Sequence, residues 1–235
     1  MSEHTHKQFD AEMEAIRSGV LAMGGLVEEQ LARAIAVLGD DEEEGAIDQV
    51  GAVEQQINQM QMTIDQQCSQ IIAKRQPAAI DLRMILTITK IVNDLERTGD
   101  EVKKVAYKAA QTRGSTRLTP VRQHDVARAA GLAQEMLQSA LDVFARLDAA
   151  AAADVINRDE EIDAAFHAIL RQLISYMMED PRTISSALEI VFIAKSVERI
   201  GDHAKNIAEA VVQVVRGKDV RHASSEQIRA EVADE

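Results

Sequence analysis

Apolar residues recur along this chain at steps of three and four. Val50, Val53, Ile57, Met60, Ile64 and Ile71 follow that rule, with one double step. So do Ile88, Val92, Leu95, Gly99, Val102 and Ala106, and again Ile190, Ala194, Val197, Gly201, Ala204 and Ala208. This spacing marks an apolar stripe along one side of a helix, turned toward a bundle core. Pro77 and Pro181 each separate two periodic stretches, where one helix stops and the next begins. GDDEEEG, Gly39 to Gly45, reads as a charged turn, and RGSTRLTP, Arg113 to Pro120, as the longest linker. The pattern predicts an all-α protein with six long helices near 5–38, 46–75, 78–112, 120–147, 152–178 and 182–216. From Gly217 the tail is polar, with a short helical turn near Glu226 to Val232.

The helices fall into two sets. DLERTGDEVKKVA at Asp94 returns as SVERIGDHAKNIA at Ser196, so that Glu96/Glu198, Arg97/Arg199, Gly99/Gly201, Asp100/Asp202 and Lys103/Lys205 match at an offset of 102. GLVEEQLARAIAVL at Gly25 aligns with GLAQEMLQSALDVF at Gly131, offset 106, and EQQIN at Glu54 with DEEID at Asp159, offset 105. The chain therefore reads as two tandem three-helix bundles, 1–113 and 118–217, followed by a tail, 218–235. Gly99 and Gly201 lie on the stripes, where a packing glycine lets a neighbouring helix approach. Such a glycine costs the helix about 1 kcal/mol relative to Ala.

Composition sharpens this picture. Three prolines, 11 glycines and 3% aromatics among 235 residues suit long helices and suit β-architecture poorly. The net charge of −13 argues against a nucleic-acid partner, since phosphate contacts need basic charge. Cys68 is the single cysteine and sits among apolar residues at helical spacing, which reads as a buried thiol rather than half of a disulfide. The N-terminus has no apolar signal region and no stretch reaches the ~18 apolar residues of a membrane span, so a cytoplasmic protein is expected.

The repeated acids are the candidate chemistry. Glu198 and Asp202 lie one turn apart on the sixth helix, at about 5–6 Å between Cβ atoms, and like charges so placed repel unless neutralised. Asp159 and Asp163 repeat that spacing on the preceding helix. Packed antiparallel, the two helices bring four carboxylates to one groove, which calls for a cation. Hard oxygen donors suit Mg²⁺, Mn²⁺ or Ca²⁺, and oxidised iron as well. The first unit offers Glu54, Asn58, Glu96 and Asp100, one charge fewer, so the second is expected to hold metal more tightly. His203 and Asn206, next to Asp202, are possible further ligands. The Glu-x-x-His pair of di-iron bundles is missing, which disfavours oxidase chemistry. No phosphate loop, nucleophile elbow or Cys-x-x-Cys occurs. A carboxylate-bridged metalloenzyme of unknown substrate is the alternative to a non-enzymatic reading.

These residues carry a family resemblance. Two three-helix repeats, each ending in Leu/Val-Glu-Arg-x-Gly-Asp, with QPAAIDLR at Gln76 to Arg83 and EDPRTI at Glu179 to Ile184, resemble the PhoU family over about residues 10 to 217. The resemblance implies a cytoplasmic, commonly dimeric helical protein that is not an enzyme. It implies a negative regulator of phosphate uptake and of the phosphate-starvation response, linking the ATPase of a phosphate ABC transporter to a sensor histidine kinase. Membrane association would be indirect, through those partners. It also implies metal clusters of iron, zinc, manganese or magnesium at the Asp159/Asp163/Glu198/Asp202 set and at Glu54/Asn58/Glu96/Asp100. The first set departs from the family pattern: Asn58 replaces an acid, and Glu101 and Lys104 stand where the second copy has His203 and Asn206.

Overall fold

The computed structural model describes residues 2–39, 45–112 and 120–233, and every regular element among them is helical. Helices α1 (Ser2–Leu38), α2 (Ala46–Arg75) and α3 (Ala79–Thr112) pack on one another. So do α4 (Pro120–Arg146), α6 (Asp159–Glu179) and α7 (Ile184–Arg216). Between them lie α5 (Ala149–Asn157) and a single 3₁₀ turn at Pro181–Thr183, and α8 (Ser225–Ala233) closes the described chain. The charged turn at 40–44 and the linker at 113–119 lie outside the described residues, and with them the expected boundary between the units.

The predicted stripes are the buried faces. In α1, Val20, Met23, Val27, Leu31 and Ala34 are fully enclosed. Ile57 in α2 and Ile85, Ile88, Val92 and Leu95 in α3 meet them in the core. A fully buried Ile, Leu or Val contributes roughly 1.5–3 kcal/mol relative to exposure, so the stripes dominate the stability of each unit. α7 is the most enclosed helix, with buried residues from Ala187 to Val214. It packs against α3, α4, α5 and α6. Gly201 allows this: a Cβ there would stand 2.7 Å from Ile162 Cδ1 on α6. At Gly99 the same atom would meet Ile57 Cδ1 and Gln30 Oε1, each at 3.2 Å, a looser version of the same contact.

α3 and α7 run antiparallel across the seam between the units. Lys108 pairs with Glu189 (2.7 Å), Glu101 with Arg199 (3.2 Å), Asp94 with His203 (2.9 Å), and Lys90 with Gln213 (2.8 Å). As numbers fall along one helix they rise along the other, so the two Glu-Arg-x-Gly-Asp motifs cross near the middle. The Asp94–His203 contact has a counterpart at the matching positions 196 and 101, where Ser196 hydrogen-bonds Glu101. The seam is thus approximately two-fold, mapping α3 onto α7.

The helix expected at 152–178 is two. Asp148 caps a new start by accepting from Ala151 N at 2.9 Å, which places α5 earlier than the apolar period suggests. Its ladder tightens at Arg158, whose N–H reaches Val155 O at 3.1 Å, and α6 begins at Asp159. Asp159, Glu160 and Glu161 fill the first turn of α6, where the helix dipole favours negative charge. Pro77 and Pro181 do separate helices, the latter opening the 3₁₀ turn with Asp180 Oδ1 accepting from Arg182 N.

The tail is less polar in its contacts than in its composition. Val220 and Ile228 are buried, and α8 packs against α5. Cys68 is buried as expected, and burial, followed by the charge of Asp65, pushes its thiol up to about 11. Among the described residues no helix is long and apolar enough to cross a membrane.

Candidate acidic sites and the cleft between them

The second unit brings its four acids within electrostatic reach of one another. Asp159 and Asp163 stand one turn apart on α6, Glu198 and Asp202 one turn apart on α7, and Gly201 lets the two helices close. Burial pushes the Asp202 carboxyl up to about 6, and the charges of Glu198 and Asp159 add to it. Asp163 is raised by burial first, then by Asp159 and Glu198, with Lys205 and His167 opposing. Like charges so close each favour a neighbour's protonation.

Two lysines relieve the repulsion. Lys205 Nζ lies 2.6 Å from Asp159 Oδ2, and Lys195 Nζ lies 2.5 Å from Glu198 Oε1. Burial works against the charge of Lys205, but the hydrogen bond to Asp159 overcomes it and raises its pKa. Glu198 Oε2 remains buried with no hydrogen-bond partner.

The first unit repeats the arrangement. Glu54, buried on α2, accepts from Asn58 Nδ2 at 3.0 Å, and Lys103 Nζ lies 3.1 Å from its other oxygen. Lys103 and Lys205 are the lysine that the sequence repeat carries four residues after its glycine, and each neutralises the first acid of the facing helix. Glu96 is raised by burial, then by Asp100, with Arg97 opposing and Glu54 adding. Asn58 Oδ1 is buried without a partner. Lys104 pairs with Glu101 at 2.9 Å and so does not neutralise Glu96 or Asp100.

Counting the lysines removes the expected asymmetry. Four carboxylates with Lys195 and Lys205, and three with Lys103, each leave a net charge of −2. The preference for metal at the second site, expected from the carboxylate count, loses its electrostatic basis.

His203 and Asn206 turn to α3 rather than to the acids of their own unit, and His203 there lies within electrostatic reach of Glu96. His203 Nδ1 lies 2.9 Å from Asp94 Oδ1, and Asn206 Nδ2 donates to the same oxygen at 3.1 Å, both across the seam to α3. Here they bind the units together rather than extend a ligand set.

Metal fit can be judged from the oxygens. The donors are hard, and Glu198 Oε2 and Asn58 Oδ1 are buried acceptors without partners, which suits a hard cation. Yet among the described residues no three His, Cys, Asp or Glu side chains stand close enough together to hold a metal. The lysine ammonium groups take the cation's part.

Between the two acidic groups the seam opens into a cleft of about 610 Å³. Asp100 of one group and Asp202 of the other border it, with Glu101 between them. Glu101 is buried; that raises its pKa, but hydrogen bonds from Lys104, Ser196 and Arg199 hold the carboxyl below its usual range. Neither this cleft nor the role of Asp94 is apparent from the apolar pattern, although the repeated arginine and lysine of the motif were visible signals.

Comparison with known proteins agrees with this architecture. The family model described as "PhoU domain" matches residues 20–109 and again 126–211. The chain is 47% identical over 232 residues to the phosphate-specific transport system accessory protein PhoU homolog of Pseudomonas aeruginosa, covering 99% of this chain and 95% of that one. It is 38% identical over 234 residues to the phosphate-specific transport system accessory protein PhoU of Escherichia coli K12, covering 97% and 93%. The crystal structure of PhoU from Pseudomonas aeruginosa superimposes with a TM-score of 0.83 at 48% identity, over 89% of this chain and 100% of that one. The phosphate transport system regulatory protein PhoU from Streptococcus pneumoniae does so with a TM-score of 0.82 at 26% identity, over 90% and 99%.

Proposed function

The chain belongs to the PhoU family, and from that premise we propose that it is a cytoplasmic negative regulator of phosphate uptake and of the phosphate-starvation response. It is a phosphate-specific transport accessory protein, as its full-length relatives are named. In this reading it acts by binding, not by catalysis. Its partners are the ATPase of the phosphate ABC transporter and a sensor histidine kinase, and it works as a homodimer. The observation that carries the reading is identity with the accessory proteins along nearly the whole chain, through both copies of the motif.

The surface offers features that suit an interaction protein. Ile184, Leu188 and Phe192, at steps of four on α7, are 41%, 43% and 52% exposed, forming an apolar strip with room for a partner. In the same reading the acidic groups become metal sites, through Asp159, Asp163, Glu198 and Asp202 and through Glu54, Asn58, Glu96 and Asp100, only once an ion displaces the lysines and draws the side chains together. A bound iron, zinc, manganese or magnesium ion would supply positive charge in place of the lysines. Deletion of the protein tests the regulatory role: phosphate-starvation genes should then be expressed even in phosphate-rich medium. A starvation reporter that still shuts off normally in the deletion strain refutes it.

A further inference from the structure

The second unit carries an apolar patch that the first lacks. Its register follows from the antiparallel pairing of α6 and α7. Lys205 Nζ lies 2.6 Å from Asp159 Oδ2, Lys195 Nζ lies 5.4 Å from the centre of the Phe166 ring, and the Thr183 hydroxyl donates to Tyr176 O at 3.4 Å. That register sets Ile174 beside Leu188 and Met178 beside Ile184. Ile174 and Met178 are 45% and 79% exposed, and with Ile184, Leu188 and Phe192 they form two neighbouring ridges, each stepping by four. Half-buried Met177 and Val191 lie between the ridges.

At the matching positions of the first unit stand Ser69, Ala73, Leu82, Leu86 and Lys90. Leu86, at 49%, is exposed much as Leu188 is, but small or polar residues replace Ile174, Met178 and Phe192. The two units fold alike, so the scaffold itself does not require the patch.

Size, shape and border select its occupant. The five side chains expose roughly 500 Å², at the upper end for one patch on a single chain. A stable interface takes about 800 Å² from each partner, about 65% of it apolar in homodimers, which matches that area. The α7 ridge is centred on Leu188. A two-fold axis there sets Ile184 of each copy against Phe192 of the other, small beside large, and lays each α7 ridge into the groove between the other's α6 and α7. The border allows this approach in a chain whose formal charge is −13. Lys108 is paired with Glu189, Arg182 with Asp180, and Lys195 with the more enclosed Glu198, which leaves the Lys195 ammonium outermost. Exposed Glu179 makes no ion pair among the described residues, and the same axis carries it toward Lys195 of the other copy. We propose that this patch joins two copies of the chain with their α7 helices crossing at Leu188, an interface that rests on the homodimeric reading above and gives it a surface.

Light scattering on the full chain as it leaves a sizing column reads the mass. The parent should have twice the mass of one chain. Leu188→Asp sets two carboxylates together at the axis and should weaken association at least a hundredfold, leaving monomer. Leu86→Asp, the same change at the matching exposed position of the first unit, should remain dimeric. Both side chains are exposed, so both variants keep their fold, which helical circular dichroism checks. Leu188→Lys should be monomeric alone, and mixing it with Leu188→Asp should restore the dimer, because position 188 faces itself. A dimeric Leu188→Asp, a monomeric Leu86→Asp, or a mixture that stays monomeric each overturns the interface, while a dimeric parent keeps the homodimer standing. A monomeric parent overturns both. None of these outcomes touches the deletion phenotype, so the regulatory role fails separately.

Discussion

Replacing Lys205 by Met separates the two roles that the acidic group gives this lysine. As an internal counter-ion it holds Asp159, whose side chain is 9% exposed, at 2.6 Å. Losing one partner of a fully buried pair costs roughly 3–5 kcal/mol. A surface pair is worth about 0–1 kcal/mol. The Lys205 side chain is 35% exposed, which places this pair between those limits, so the metal-free variant should be destabilised by about 1–2 kcal/mol. As a competitor for a cation, the same lysine weakens metal binding. Without it the group moves from −2 to −3, and each added net negative charge strengthens the attraction for a hard divalent ion. A tenfold gain in affinity returns about 1.4 kcal/mol at saturating ion. Urea unfolding followed by circular dichroism, with and without Mn²⁺, reads both effects. The variant should unfold earlier than the parent without metal, and Mn²⁺ should narrow or reverse the gap. Equal midpoints without metal would show that the lysine is not an internal counter-ion. A gap of the same size in both conditions would show that it does not compete with a cation.

Two further outcomes follow from the same packing. Asp202 has a folded pKa of about 6 against an ordinary 3.8, so between those values the folded state binds more protons than the unfolded one. Its contribution to stability is fully present below 3.8 and is lost as pH rises through about 6, so the metal-free protein should lose stability across that window. Asp202→Asn should flatten the loss, and an unchanged slope in thermal midpoints would show that another group is responsible. Gly201→Ala gains about 1 kcal/mol of helix propensity but drives a methyl to 2.7 Å from Ile162, and overpacking costs typically 1–3 kcal/mol. It should therefore destabilise more than Gly99→Ala, whose nearest contacts are at 3.2 Å; the reverse order in denaturant midpoints would contradict the packing described.

Much of the fold is legible because helix packing writes a period into the sequence. The stripes through Val92 and Val197 name the buried faces, and the prolines name two of the breaks. The break at Arg158 escapes that logic. Apolar residues continue across it, and the signals are polar: Asp148 as a cap and the acidic run from Asp159 at a new helix start. The tail shows the opposite failure, since Val220 and Ile228 are too few and too far apart to form a stripe, yet both are buried. For the acidic groups, i to i+4 spacing suffices to place each pair on one side of its helix. It cannot reveal which cation they face. Lys195 reaches Glu198 within α7, at a spacing of three, but Lys205 meets Asp159 only by reaching across to α6, and His203 turns toward α3 because Asp94 waits there. Pairings of that kind depend on the angle between helices, which one helix's residues do not encode.

The two-fold seam between α3 and α7 bears on how the chain came to be. Two identical three-helix chains meeting through one helix each would form an isologous contact, in which every cross-pair occurs twice. Joining two such chains end to end keeps the contact but frees its halves to differ. The seam preserves that divergence: Asp94 meets His203 on one side of the axis, and on the other Ser196 meets Glu101. The acid belongs to α3 in both pairs and its partner to α7, although in a homodimer each helix would have supplied one of each. Complementarity between unlike halves makes the pairing directional, so that α3 prefers α7 to another α3. Pairing of one copy's α3 with the α3 of another, which would set Asp94 against Glu101, is thereby disfavoured, a discrimination that a self-complementary seam would lack.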